Sequence, residues 1–365
     1  MKNTFGTSIT VTLFGESHGS EIGAVVDGLA PGLPIREESI RRALALRRPS
    51  DACSTARREA DEFRIVSGVF EGKATGTPLC LLIPNNATKS DDYGKTARLA
   101  RPSHADFTAE CKYHGFQDYR GGGHFSGRIT APLVAVGAIL ADALAERGIA
   151  IGTHIACIAD ITDRSFEDYA SDIKALSTLS FPVLDEEAAE QMSHAILTAK
   201  KEGDSVGGVL ESVVLGMPTG VGEPWFDSVE SLLSHMLFSI PAVKGVEFGA
   251  GFAFASMRGS DANDPFLNRD GKIVTATNHN GGINGGITNG MPIIFRTAVK
   301  PTPSIYKTQK TVSLDSGEAC DITIKGRHDP CIVHRARAVV DAVTAIVLAD
   351  MLASRFGTDY FSPKK

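Results

Sequence analysis

One tryptophan and six cysteines are all that 365 residues hold of those two types. The cysteines are Cys53, Cys80, Cys111, Cys157, Cys320 and Cys331, and they form no CxxC pair and no Cys/His array with zinc spacing, so no metal site is expected. They are also too sparse for a disulfide scaffold, which leaves reduced thiols in a cytoplasmic protein as the expectation. The N-terminus, Met1 to Gly6, has no apolar signal-peptide core. The longest apolar stretch, Ile129 to Ala141, falls short of the roughly 20 residues that span a bilayer, so no membrane partner is expected. Positive charge is not in excess either. The formal net charge is -6, which argues against a general nucleic-acid binder. Two common motifs are missing: G-x-x-x-x-G-K-[ST] and a G-x-G-x-x-G following a strand. Their absence excludes a P-loop and a Rossmann dinucleotide site.

Glycine, by contrast, is abundant at 37 residues, and it clusters at Gly121-Gly122-Gly123 and around Gly281-Gly282-Ile283-Asn284-Gly285-Gly286. Such runs serve tight turns or let backbone approach a ligand. Strands are expected at Ile22–Val26, Leu79–Ile83, Val209–Leu215 and Met291–Phe295. Two long apolar helices are expected at Ala131–Arg147 and Arg335–Ser354. Helices apolar on nearly all sides belong in the middle of a protein, with strands as outer layers. The two helices echo one another, residues 135–142 against 342–350, and residues 22–26 echo 206–210 in the same order. The echoes suggest an internal duplication, with repeats at roughly 1–150 and 200–355. Residues 160–200 are polar and helix-leaning, and read as a peripheral excursion. With no Pro/Ser-rich linker, one interlocked domain spanning 1–365 is expected.

The chemistry-bearing residues lie in short motifs of His, Arg and Gly. Phe14-Gly15-Glu16-Ser17-His18-Gly19 puts an imidazole beside a hydroxyl in a loop. Arginine pairs follow at Arg47-Arg48 and Arg57-Arg58, and Arg101-Pro102-Ser103-His104-Ala105-Asp106 offers a second loop histidine. Asp118-Tyr119-Arg120-Gly121-Gly122-Gly123-His124-Phe125-Ser126-Gly127-Arg128 runs straight into the first apolar helix, and backbone N–H groups at a helix start form an anion site. Lys300-Pro301-Thr302-Pro303-Ser304 offers an ammonium and hydroxyls. Gly326-Arg327-His328-Asp329-Pro330 joins cation, imidazole and carboxylate before the second apolar helix. Asp before Pro at a helix entry also suits an N-cap, so Asp329 has a structural alternative. Converging arginines imply an anionic substrate, because guanidinium binds carboxylate and phosphate bidentately. Histidine and aspartate supply proton transfer. On the residues alone this is an enzyme for a small polyanion, its reaction unspecified.

In this order and spacing the motifs resemble those of the chorismate synthase family, from about Phe5 to about Leu352. Gly68-Val69-Phe70-Glu71-Gly72, Gly203-Asp204-Ser205-Val206-Gly207-Gly208 and Ala242-Val243-Lys244-Gly245-Val246-Glu247 belong to the same set. The resemblance implies an α+β fold, a β-α-β sandwich with a helical core between antiparallel sheets and a pseudo-two-fold duplication, assembled as a homotetramer. It implies a lyase that eliminates phosphate and a ring proton from 5-enolpyruvylshikimate 3-phosphate, with reduced FMN and no net redox change. It implies that Ser126, Ala242, Gly285, Lys300, Thr302, Ser304 and Arg327 hold the flavin. Ser17, Arg47, Arg128 and Arg335 would hold the substrate. His18 would protonate the departing phosphate, His104 would stabilise the anionic flavin, and Asp329 would act as a base at flavin N5. Reduced flavin must come from a separate flavin reductase or from the chain's own use of NADPH. The sequence departs from the family's common pattern at Cys53, where a basic residue is frequent, at His124-Phe125, where Arg-Ser is common, and at Ser103, where Gly is usual. Two other functions remain open: another flavoprotein lyase on the same scaffold, and a flavin- or phosphate-binding regulatory module in which His18 and Asp329 would be dispensable.

Overall fold

The structure is a computed structural model describing residues 2–49, 53–54, 61–86, 98–324, 326 and 328–363. Period-two burial marks its strands. In Leu79–Pro84 the residues Leu79, Leu81 and Ile83 are fully buried, and in Ile293–Val299 the alternate residues are likewise inside. Two five-stranded antiparallel sheets result. The first runs Thr4–Phe5, Thr10–Gly15, Glu21–Asp27, Leu79–Pro84, Arg64–Ser67, and the second Val243–Phe248, Ile293–Val299, Gly208–Leu215, Ala150–Ile158, Ile161–Thr162. The strand expected at 291–295 begins two residues later. Pro292 lacks the N–H that a ladder needs, so pairing starts at Ile293.

Two core helices, Thr130–Ala145 and Val333–Phe356, lie between the sheets. The first packs on Glu21–Asp27 and Leu79–Pro84 of one sheet and on Ala150–Ile158 of the other, and the second on Ala150–Ile158 and Gly208–Leu215. The helices approach so closely that a Cβ on Gly137 would lie 2.3 Å from that of Ala342. Each fully buried aliphatic side chain in this layer contributes about 1.5–3 kcal/mol. Asp350 ties the end of the second helix to the chain's start by accepting the backbone N–H groups of Thr7, Ser8 and Ile9. Among the described residues one helical run, Gly127–Ala145, is long and apolar enough to cross a membrane, which the shorter stretch expected from sequence was not. It is 83% buried inside the protein, and that burial accounts for its composition.

Both sheets are wired alike. Strand, strand, helix, strand, strand, helix describes 10–15, 21–27, 37–47, 64–67, 79–84 and 130–145, and again 150–158, 208–215, 229–237, 243–248, 293–299 and 333–356. In each sheet the strands of the series lie in the order first, second, fourth, third. The sequence echoes fall on the second strand and the closing helix of each series.

The polar excursion forms two helices, Tyr169–Leu176 and Glu186–Lys201, capped by Asp168 and Asp185. It is anchored through His154, whose Nδ1 meets Asp163 at 2.7 Å and whose Nε2 meets Glu211 at 3.2 Å. Burial opposes protonation of His154, but the two carboxylates prevail and raise its pKa. A raised histidine stabilises fully below its unfolded value of about 6.5, and loses that contribution as pH climbs through the folded value. Urea midpoints measured from pH 6 to 9 should therefore fall more for the wild type than for His154→Gln. Parallel curves would show that the cluster contributes no pH dependence.

Candidate active site

The loop carrying Ser17 and His18 joins Thr10–Gly15 to Glu21–Asp27, and it lies against the glycine turn 121–123. All three glycines have positive φ, and Gly121 is obligatory. A Cβ there would stand 2.2 Å from His18 Cε1 and 2.9 Å from Ser17 Oγ. Ser17 donates its N–H to Gly123 at 3.1 Å, and Asn85 donates to the carbonyls of Glu16 and Gly19 at 3.0 and 2.9 Å. Asn85 also accepts from Arg128 Nε at 3.0 Å, which joins the His18 loop to a cluster of arginines.

That cluster surrounds Asp61, which accepts from Arg47 at 3.0 Å and from Arg128, with Arg48 Nε at 3.7 Å. Burial alone would raise the Asp61 pKa, yet Arg47 and Arg128 bring it below the usual carboxylate value. Burial lowers the pKa of Arg47 despite Asp61, and the nearby Arg335 and Arg128 add to that effect. Arg335 donates to the Arg47 carbonyl at 2.9 Å and to Asp329 Oδ2 at 2.6 Å. Among the described residues arginines outnumber carboxylates here, and the buried Nε atoms of Arg47 and Arg48 have no hydrogen-bond acceptor. Removing one partner of a buried charge pair costs about 3–5 kcal/mol. Asp61→Ala should therefore lower the unfolding free energy by about 3 kcal/mol or more. A urea-unfolding difference below 1 kcal/mol would show that Asp61 does not hold the cluster.

A second group forms across the chain. His104 Nε2 lies 2.8 Å from Ser304 Oγ, and Lys300 Nζ donates to the Ser103 carbonyl at 2.8 Å. Ser103 holds φ +59, a conformation suited to the glycine usual there. Arg101 and Asp106 brace the loop by paired hydrogen bonds at 2.8 and 2.7 Å. Burial, then Arg101, lowers the pKa of His104 to about 4, so its imidazole is neutral at pH 7. His328 is lowered for the same two reasons. Ser205 donates to the Thr302 carbonyl at 2.7 Å, and Val206 N–H to Pro330 at 2.9 Å, which brings the Gly203–Gly208 motif to both segments. Asp329 stands where the groups meet, bonded to Arg335 and adjacent in sequence to His328.

Most of the expected residues thus come together. Ser126 lies at the same turn, with its hydroxyl accepting the Arg128 N–H at 3.3 Å. Ala242, at φ +77, accepts the Lys300 N–H at 3.0 Å. Gly285 does not join them. It lies in a hairpin, 283–288, beside the start of helix Val229–Leu237, whereas Lys300 follows the far end of Ile293–Val299, a strand about 20 Å long at about 3.3 Å per residue. Arg327, Arg57 and Arg58 lie outside the described residues. Cys53 is buried, so no cation reaches the site from that position. The N-cap alternative for Asp329 is overturned: the cap of Val333–Phe356 is Ile332, with no side-chain cap bond. Asp61 and Asn85 were not singled out from sequence. A carboxylate in a polar stretch and an asparagine after a strand carry no local mark of a site.

The donor set fits the flavin and anionic substrate that the sequence motifs imply. Besides the two arginine nitrogens, Ser17 Oγ, Thr302 Oγ1 and His328 Nε2 are buried without a hydrogen-bond partner among the described residues. Native proteins rarely leave such groups unsatisfied, and groups of this kind are where a ligand's oxygens bind.

Fold and site together define a class, an α+β enzyme with a buried arginine cluster beside a histidine-bearing loop group. A family model described as chorismate synthase matches residues 9–353. The chain is 44% identical over 350 residues to the chorismate synthase of Thermococcus kodakarensis, covering 96% of this chain and 97% of the relative. It is 47% identical over 360 residues to that of Dehalococcoides mccartyi, covering 98% of each. A crystal structure of chorismate synthase superposes with a TM-score of 0.77 at 30% identity, covering 97% of this chain and 94% of that one. The chain belongs to the chorismate synthase family, whose members are lyases.

Proposed function

We propose that this chain converts 5-enolpyruvylshikimate 3-phosphate to chorismate and inorganic phosphate by 1,4-elimination, with reduced FMN and no net redox change. The supporting observation is the cluster of guanidinium groups around Asp61, in which the buried Nε atoms of Arg47 and Arg48 lack a hydrogen-bond acceptor among the described residues. Phosphate and two carboxylates are the groups such donors bind.

Arg47, Arg128 and Arg335 hold the substrate's anionic groups, with Arg48 beside them and Ser17 adding a hydroxyl. His18, against the Gly121 turn, gives its proton to the departing phosphate. Lys300, Thr302, Ser304 and Ser126 hold the flavin, with Ala242 beside them and Arg327 following from its motif. When bound, reduced FMN supplies electron density for phosphate departure and takes up the hydrogen. Asp329 receives the proton at its carboxylate. His104 is neutral in the protein alone, and a negative charge placed beside it raises its proton affinity, so it stabilises an anion by hydrogen bond or as imidazolium.

The chain is proposed to be one domain built by duplication, with repeats at about 1–150 and 200–355, a reading supported by the matched wiring of the two sheets. A cytoplasmic homotetramer is proposed as the working form. Trp225, Phe226, Phe252, Phe266 and Ile273 each face solvent in the single chain, and a subunit interface would cover large apolar side chains of this kind. Gly285 would then hold flavin from a neighbouring copy or not at all. The reduced cofactor comes from a separate flavin reductase or from the chain's own use of NADPH. Purified protein with dithionite-reduced FMN under argon should form chorismate from the substrate. Flavin binding without product would favour another flavoprotein lyase on the scaffold.

A further inference from the structure

His124 is not among the groups assigned above to substrate, flavin or proton transfer, and it replaces an arginine common in the family. Its Nδ1 lies 2.7 Å from the carbonyl oxygen of Gly15. A carbonyl only accepts, so Nδ1 must carry the hydrogen and donate it. This bond and the one from Ser17 N–H to Gly123 at 3.1 Å run in opposite directions between the same two segments. One fastens the chain just before Ser17-His18 to the residue after the glycine turn. The other fastens Ser17 to the end of that turn. Between them His18 rests on Gly121, with no room for even a methyl group.

Gly15 is the hinge of this arrangement. It is the last residue of Thr10–Gly15, pairs with Ile22, and holds φ +97. A free Gly15 carbonyl could rotate with that permissive backbone, carrying Glu16, Ser17 and His18 with it. Asn85 holds the loop from the other side, at Glu16 and Gly19, and does not reach Gly15.

We propose that His124 is a positioning residue. Its Nδ1–H locks the Gly15 carbonyl and so aims the His18 imidazole at the departing phosphate. This rests on His18 being the proton donor. A misplacement of about 1 Å costs on the order of a hundredfold in rate, so losing one of several loop bonds should cost about tenfold to a hundredfold in single-turnover phosphate release. His124→Leu removes the donor. His124→Asn keeps an N–H close to where Nδ1–H stood.

The test measures single-turnover phosphate release, substrate KM and reduced-FMN affinity for His124→Leu, His124→Asn, His18→Ala and the double variant His18→Ala/His124→Leu. His124→Leu should be slow with KM and FMN affinity near wild type, and His124→Asn should recover to within about threefold. In the double variant the rate should equal that of His18→Ala alone, because a residue acting through His18 has nothing left to aim. A wild-type rate in His124→Leu, or losses that multiply in the double variant, would overturn the proposal. Should His124→Leu fail to fold, the wild-type-like rate expected of His124→Asn still decides, and a slow His124→Asn refutes the aiming role. A near-normal rate in His18→Ala would instead remove the proton-donor assignment, a separate failure.

Discussion

His18→Ala should lower the rate of chorismate formation by about a hundredfold to ten-thousandfold while the protein folds and still binds reduced FMN. That is the range a positioned proton donor contributes. The substitution leaves the surrounding bonds in place, since the loop is held by backbone and by Asn85. His18 is 8% exposed, so truncation also leaves a small cavity and a modest loss of stability is expected. Rate per folded molecule separates the two effects. If His18 were only structural, unfolding would shift while the rate per folded molecule stayed near wild type.

Asp329→Asn should be as slow. The side chain keeps its size and an acceptor for Arg335, but it no longer takes up a proton. The second core helix has its cap at Ile332, so capping offers no competing explanation for a lost rate. The expected variant folds, binds flavin and substrate, and turns over about a hundredfold or more slowly, in line with loss of a general base. Spectra of a single turnover should show the flavin signal persisting longer than in the wild type. Wild-type decay would remove Asp329 from proton transfer and shift attention to His104 and His328, both neutral at pH 7 because burial and Arg101 lower their pKa.

How much of this the sequence carried depended on whether a residue's role was local. The core helices were legible because apolar residues on all sides need a fully enclosed place, and residues 130–140 are buried without exception. The alternating strand at Leu79 and the polar excursion at 160–200 were legible for the same kind of reason. His18, His104, Lys300 and Ser304 stood out because polar groups sat among glycines and prolines. Asp61 and Asn85 did not, since each matters only through partners far along the chain: Asp61 through Arg47 and Arg128, Asn85 through Glu16 and Arg128. The separation of Gly285 from Lys300 was equally hidden, because it depends on the length of one strand. The neutrality of His104 required knowing its burial beside Arg101.

The most direct test of the account is the ratio of chorismate formed to reducing equivalents consumed, measured anaerobically with a limiting amount of reduced FMN. An elimination without net redox change gives many product molecules per flavin and leaves the flavin reduced at the end. One product per flavin with oxidised FMN accumulating, or full activity without flavin, would contradict it.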